Sequence, residues 1–149
     1  MIQRIQSLFL LVSAGGFGSQ FVLPYLNAAE GNAARTLAPL SDGVLTPSDN
    51  PGLMGLAGLG ALLALVSIFL YTRRSLQTSL ARVGIAVAAL LAALVALVVY
   101  QTMQALPTGG AVSYGVGLAM PIISAINQWL AARNIQKDET LVKSMDRLR

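Results

Sequence analysis

The chain has 149 residues, of which 55% are hydrophobic and only 11% are charged, and its formal net charge is +4. Ordinary soluble domains carry about 25% charged residues, so this composition excludes a soluble globular enzyme. Histidine and cysteine are both missing, which removes the usual protein ligands of haem, iron–sulfur clusters, copper and structural zinc; we therefore predict no cofactor and no metal partner.

Four apolar runs that contain no charged residue follow one another, at about residues 5–26, 52–72, 83–103 and 111–132. About 20 apolar residues cross the hydrocarbon core of a bilayer, and a charge at its centre costs about 2.5–3.5 kcal/mol on insertion scales. The sequence therefore predicts a single all-α membrane domain, with four transmembrane helices in an up-and-down bundle. A cleaved signal peptide is the alternative for the first run, which is longer than a typical signal core.

Lysine and arginine lie almost entirely on one side of these runs. By the positive-inside rule that side is cytoplasmic, so we expect a multi-pass inner-membrane protein with both termini in the cytoplasm. The opposite side contains a single base, Arg35, together with Glu30, Asp42 and Asp49. The bases on the cytoplasmic side are Arg4, Arg73, Arg74, Arg82, Arg133, Lys137, Lys143, Arg147 and Arg149.

The outer loop, residues 27–51, is rich in residues that break helices and strands, among them Pro39, Pro47 and Pro51. We predict a loop with a short helical turn at residues 28–37. Its length is below the roughly 40 residues that an independent core needs without disulfides or metals. Its apolar side chains therefore need cover from the membrane surface, from the helices or from a partner; they are Leu37, Leu40, Val44 and Leu45.

Small residues recur along the second and third spans, where they would let another helix approach closely. Such contacts are predicted at every fourth residue of the third span and at the outer end of the second. The partner is either a neighbouring helix of the same chain or another subunit. The predicted packing residues are Gly84, Ala88, Ala92, Ala96, Gly52, Gly55 and Gly58.

The first and fourth spans contain a few uncharged polar residues. Pro121 predicts a kink in the fourth helix, because its ring crowds the carbonyl of Gly117. Asn127 and Gln128 either hydrogen-bond to a neighbouring helix or lie at the interface with water and headgroups. In the first span Ser13 and Gln20 are the candidates for a polar function inside the membrane.

The tail, residues 133–149, has the pattern of an amphipathic helix that continues the fourth span. Its apolar residues fall within one sector, and most of its charges fall opposite. The tail is expected to bind either the membrane surface or a partner subunit. The predicted contact residues are Arg133, Lys137, Leu141, Val142, Lys143, Met145, Arg147 and Arg149.

Both ends of the chain carry short sequence signatures. The start MIQRIQ at residues 1–6 and the ending KDE at 137–139, LVKS at 141–144 and DRLR at 146–149 resemble a Bacteroidota membrane family, the domain of unknown function 4293. In that family an arginine stands where this chain has Lys143. The resemblance implies a four-span protein of the bacterial inner membrane, without an assigned activity.

The spans contain none of the buried acids or paired charges that proton relays and ion paths use, and the chain has no phosphate-binding loop. We therefore expect no enzyme activity from the chain alone and no nucleic-acid partner. The favoured hypothesis is a non-catalytic accessory or structural subunit of a larger inner-membrane complex, by analogy a respiratory or electron-transfer complex. Its partners would be membrane lipids and other membrane subunits.

Two alternatives remain open at this point. One is a stand-alone homo-oligomer whose tail interacts with lipid. The other is a small transporter or channel for an uncharged solute, with Gln20, Asn127 and the kink at Gly117 and Pro121 lining its path.

Overall fold

A computed structural model describes the backbone of residues 2–146, and the side chains in that range except those of residues 2–4, 74 and 141–146. Most of the described chain is helical, which confirms the all-α class. The four helices are α1 (Ile2–Ser19), α2 (Pro51–Phe69), α3 (Arg74–Gln104) and α4 (Met120–Asp146). Three strands of two residues each lie between them, at β1 (Leu26–Asn27), β2 (Val44–Leu45) and β3 (Ser113–Tyr114).

Two of the described helices are long and apolar enough to cross a membrane. They are Pro51–Phe69, with a mean hydropathy of 2.2, and Ser75–Gln104, with a mean hydropathy of 2.8. The apolar part of α1, Ile5–Ser19, is shorter. Only 28% and 33% of the most apolar stretches of α2 and α3 are buried within the chain, so the rest of each stretch is at least partly exposed.

The ends of α1 and α2 follow from local chemistry. α1 ends at Ser19, and hydrogen-bonded turns continue from there to Leu23. The helix does not extend to residue 26 with the apolar run, because Pro24 lacks an N–H and disfavours helical backbone at the residue before it. α2 begins after Asn50, whose side-chain oxygen accepts hydrogen bonds from the N–H groups of Gly52 at 2.9 Å and Leu53 at 3.3 Å.

α4 begins later than the fourth apolar run. Residues 113–119 form β3 and a 3-10 turn, Val116–Ala119, and α4 begins at Met120. Pro121 therefore stands in the first turn of the helix, where a missing N–H breaks no helical hydrogen bond. The predicted kink at Gly117 and Pro121 is wrong for this reason.

α3 and α4 both extend past the apolar runs that predict them. α3 begins at Arg74 rather than at residue 83, because the intervening residues include no glycine or proline. α4 continues without a break from its apolar half to Asp146, so the first part of the tail is the end of α4. The hydrophobic run marks an apolar segment, whereas helix length is set by breakers and caps.

Each helix packs against two others, in the order α1–α2–α3–α4 and back to α1. The buried faces of α2 and α3 form an interior seam in which the spacing alternates between three and four residues, as in coiled coils. In α2 these residues are Leu53, Ala57, Gly60, Ala64 and Ser67, and in α3 they are Ala81, Gly84, Ala88, Leu91 and Val95.

The outer loop is organised instead of irregular. β1, at its start, and β2, within it, form an antiparallel sheet with β3 of the α3–α4 connection. The order is β2–β1–β3, in which Leu26 pairs with Leu45 on one side and with Tyr114 on the other. Together with the 3-10 turns at Ala33–Thr36, Ala38–Leu40 and Pro47–Asp49, this sheet forms what we call the platform. The first of these turns lies within the helical turn expected at residues 28–37.

The platform and the helices share one core. Tyr25, Leu40 and Leu45 are fully buried and belong to the same cluster as Phe17 of α1 and Leu91 of α3. The sequence left open three surfaces on which the loop's apolar side chains could pack: the membrane, the helices or a partner. In the structure they pack on the helices. A 25-residue segment is thus ordered without a separate core of its own.

Phe17 fills the space over Gly60, and this contact generates a prediction about stability. A Cβ at Gly60 would overlap the Phe17 ring, whereas one at Gly58, on the exposed face of the same helix, meets nothing within 4 Å. We expect Gly60→Ala to lower the free energy of unfolding by about 1–3 kcal/mol, as overpacking does. Gly58→Ala should be neutral or stabilising by up to about 1 kcal/mol, since alanine favours helix.

Thermal unfolding of both variants in the same detergent measures the difference. Equal melting temperatures for Gly60→Ala and Gly58→Ala would contradict the close α1–α2 contact.

Candidate functional site

The interior contains uncharged polar side chains between the helices. Among the described residues the buried polar groups are amides and hydroxyls, with no carboxylate, ammonium or guanidinium. Four of them lie on the helix surfaces that face one another. They are Ser13, Gln77, Ser124 and Gln128.

Two serines connect α1 and α4. The Ser13 hydroxyl donates to the carbonyl oxygen of Ser124 at 3.1 Å, and the Ser124 hydroxyl donates to the carbonyl oxygen of Ser13 at 3.4 Å. Gly16 makes this approach possible, because a Cβ there would meet Ser124 Oγ at 2.5 Å. Both hydroxyls are committed to backbone carbonyls, so the pair serves helix packing and not nucleophilic chemistry.

Gln77 and Gln20 fasten the two ends of the helical body. Gln77 Nε2 donates to the carbonyl oxygen of Ser67 at 3.0 Å, which connects α3 to the end of α2. Gln20 accepts a hydrogen bond from the Tyr25 hydroxyl at 2.8 Å, and its Nε2 donates to the carbonyl oxygen of Gly16 at 3.4 Å. The two polar candidates of the first span, Ser13 and Gln20, therefore both have internal partners.

Gln128 differs from these side chains. It is fully buried, and neither its Oε1 nor its Nε2 has a hydrogen-bond partner among the described residues. The amide lies over Gly84 of α3, where a Cβ would be 2.7 Å from Nε2. Asn127, its neighbour, is half-buried and donates to the carbonyl oxygen of Ile123 in its own helix at 2.8 Å. Only Gln128 thus enters the contact between helices.

The small residues predicted on α3 divide between two environments. Gly84 and Ala88 are buried in the interior seam, Ala92 is half-buried and Ala96 is exposed. Residues spaced by four advance about 40° around a helix at each step. A strict four-residue series therefore rotates away from the interior seam, whose spacing alternates between three and four. Whether Ala92 and Ala96 contact another subunit stays a prediction.

A second series of small residues lies on the exposed side of α3, and only one of its members, Ala96, was predicted from the sequence. Ala86, Ala89, Ala93 and Ala96 are all exposed and are spaced by three, four and three residues. We call this the alanine face. Both sides of α3 alternate three and four residues and both contain alanine, so the spacing alone does not tell which side is buried.

The glycines predicted on α2 lie on its exposed side. Gly52, Gly55 and Gly58 are exposed, and a Cβ at Gly52 would meet Leu94 of α3 at 3.1 Å. Gly55 and Gly58 have open space around them. Within the chain, Gly60 is the α2 glycine that lies in the interior seam.

The far end of α4 is attached to α1. Gln6 Nε2 donates a hydrogen bond to Asp138 Oδ2, and Ile135 is fully buried. Arg133 and Lys137 are exposed, and the Arg133 guanidinium lies 5.4 Å from the centre of the Trp129 ring, a cation–π distance. The remaining predicted tail contacts lie outside the described side chains: Leu141, Val142, Lys143, Met145, Arg147 and Arg149.

The unpartnered amide of Gln128 generates a prediction. Replacing a buried amide that lacks a hydrogen bond with an apolar side chain of similar size removes a desolvation cost of about 1–3 kcal/mol. We expect Gln128→Met to raise the melting temperature in detergent. Gln77→Met is the matched control, and it should lower the melting temperature because it removes the bond to Ser67. A fall for Gln128→Met as large as that for Gln77→Met would mean that the Gln128 amide is satisfied in the folded protein.

Comparison with known proteins places the chain in a family. No curated protein and no solved structure matches it. The family model described as Domain of unknown function (DUF4293) matches residues 2–148, nearly the whole chain. The resemblance carried by the two end signatures is thereby confirmed, and the chain belongs to the DUF4293 family.

Proposed function

We propose that this chain is a four-span protein of the bacterial inner membrane. All four helices expose large apolar side chains: Leu8 of α1 is 56% exposed, Phe69 of α2 76%, Leu90 of α3 58% and Ile122 of α4 57%. Water-soluble monomers rarely expose contiguous apolar patches of more than a few hundred Å². This exterior supports lipid contact for α1 and α4 as well as for the two more apolar helices.

The charge distribution supports an orientation with both termini in the cytoplasm. Arg73 and Arg82 follow α2 and begin α3, and Arg133 and Lys137 lie in the far half of α4. The platform side carries Glu30, Asp42 and Asp49 against Arg35. Bases gather on the cytoplasmic side of membrane proteins, so the platform would face the periplasm.

Single-cysteine labelling tests this orientation. Because the chain has no cysteine, Ser75→Cys and Thr108→Cys each introduce a unique thiol at an exposed position. We expect a membrane-impermeant maleimide to label Thr108→Cys once the outer membrane is permeabilised, and to label Ser75→Cys only after the inner membrane is opened. Labelling of Ser75→Cys with the inner membrane intact would contradict the proposed orientation.

Within this membrane, we propose a non-catalytic accessory subunit that binds another membrane protein through the alanine face. This exposed series of four alanines is the observation that carries the proposal. Large apolar side chains gain little when they move from lipid into a contact between helices. Helices in a bilayer therefore associate where small residues let their backbones approach. We propose that the larger assembly is a respiratory or electron-transfer complex.

Adding bulk to the alanine face should break this association. We expect a tagged wild-type chain, solubilised in mild detergent, to migrate well above 15.6 kDa with its partner, and Ala93→Leu to recover at least tenfold less of that partner. Leu62→Trp is the control, since it adds bulk to an exposed position of α2 and should leave recovery unchanged.

The composition of the complex distinguishes the proposals. A complex that contains only copies of this chain would indicate the stand-alone homo-oligomer, and a wild-type chain that migrates alone at its own mass would contradict both.

A further inference from the structure

A cleft opens between the platform and the platform end of α3. Its volume is about 460 Å³, within the range of small-molecule sites. One wall comes from the platform, with Leu37 and Leu45, and the other from the last two turns of α3, with Val98 and Thr102. Asp49 and Gln101 also line it, and both are exposed. The cleft therefore combines apolar walls with a polar mouth.

The one ionised group of the cleft is a carboxylate that has spare hydrogen-bonding capacity. Asp49 Oδ2 accepts from the Thr46 N–H at 2.7 Å and from the Thr46 hydroxyl at 3.1 Å. Its other oxygen, Oδ1, has no hydrogen-bond partner among the described residues. Among the residues that the structure describes, no base lines the cleft, so this negative charge would face a ligand uncompensated.

The two helix ends beside the cleft also favour a cation over an anion. Gln101, Thr102 and Ala105 belong to the C-terminal end of α3, where the helix dipole places partial negative charge, and the last turn contains no base. The N-terminal N–H groups of α2, which would attract an anion, are occupied by the side chain of Asn50. The mouth of the cleft therefore favours a cation that donates hydrogen bonds.

Arg35, the only base on the platform side, does not change this balance. Its Nε and Nη2 donate to the carbonyl oxygen of Ala28 at 3.2 and 3.1 Å, and its guanidinium packs against Gly43. Its guanidinium is thus bound within the loop, and Arg35 is not among the residues that line the cleft.

We infer that the cleft binds an amine-headed membrane lipid of the phosphatidylethanolamine class. The ammonium would bond to Asp49 and Gln101, and an apolar chain would lie along Leu37, Pro39 and Val98. Lipid is the source because α3 continues from Gln101 of the cleft into an exposed apolar surface that includes Leu90 and Leu97. This inference rests on the proposed orientation, in which the cleft lies at the periplasmic interface.

Lipid retention by the full chain tests the inference. The chain is reconstituted in nanodiscs of equal phosphatidylethanolamine, phosphatidylcholine and phosphatidylglycerol, then released, and its bound lipid is counted by native mass spectrometry. We expect phosphatidylethanolamine to be retained about tenfold over phosphatidylglycerol, with phosphatidylcholine between them, because its trimethylammonium carries charge without N–H donors.

Two variants assign the retention to the cleft. Asp49→Asn keeps an acceptor for Thr46 but removes the charge, and should abolish the preference; Val98→Trp should fill the apolar wall and lower retention of all three lipids. Glu30→Gln removes an exposed platform acid outside the cleft and should change nothing.

Equal retention of the three lipids by the wild type, or an unchanged preference in Asp49→Asn, would overturn the inference. The Ser75 and Thr108 labelling separates this failure from that of the membrane proposal, since a chain that labels as expected but shows no lipid preference loses only the lipid site.

Discussion

Close approach of the helices at small residues is the constraint on which the rest of this structure depends. Gly60 and Gly84 each leave room for one large side chain from another helix, Phe17 in the first case and Gln128 in the second. The interior combines these small residues with a limited set of large ones such as Leu10, Leu53 and Leu91, and many other leucine, isoleucine and valine residues are exposed. A soluble helical bundle has the opposite distribution, with its large aliphatic side chains inside.

The platform depends on the same kind of close approach. The N–H groups of Gly115 and Gly117 donate to the carbonyl oxygens of Tyr25 and Pro24 at 2.8 and 3.0 Å, and a Cβ at either glycine would overlap this backbone. The sheet thereby joins the chain after α1, the segment before α2 and the connection between α3 and α4. Three strands from two connections, α1–α2 and α3–α4, are thus fixed to one another next to all four helices, which explains how so short a loop is ordered without disulfides.

The sequence predicts the helices better than their ends or their faces. Runs without charge place a helix in each of the four segments, because hydropathy is a local property. The strands are two residues long, too short for any periodicity, and β1 pairs with β3 across almost 90 residues, so no local pattern reveals the sheet. The pairing of Gly84 with Gln128 likewise joins two helices and appears in neither segment alone. The kink predicted at Pro121 is wrong because no local pattern locates the start of α4, which places this proline in the first turn of the helix.

α3 connects the two proposed interaction sites. At about 100° per residue, the alanine face at residues 86–96 lies on the side of α3 opposite to the interior seam. Val98 and Thr102 continue the seam, so the cleft is the place where the seam opens beneath the platform. The two sites are therefore on opposite sides of one helix. A partner helix on the alanine face would leave the cleft open, and a lipid bound in the cleft would lie between α3 and the platform without covering Ala89 or Ala93. The two sites can accordingly be occupied at the same time. Because they share no contacting residue, a substitution in one site should leave binding at the other unchanged, and the free-energy effects of substitutions in both sites should add.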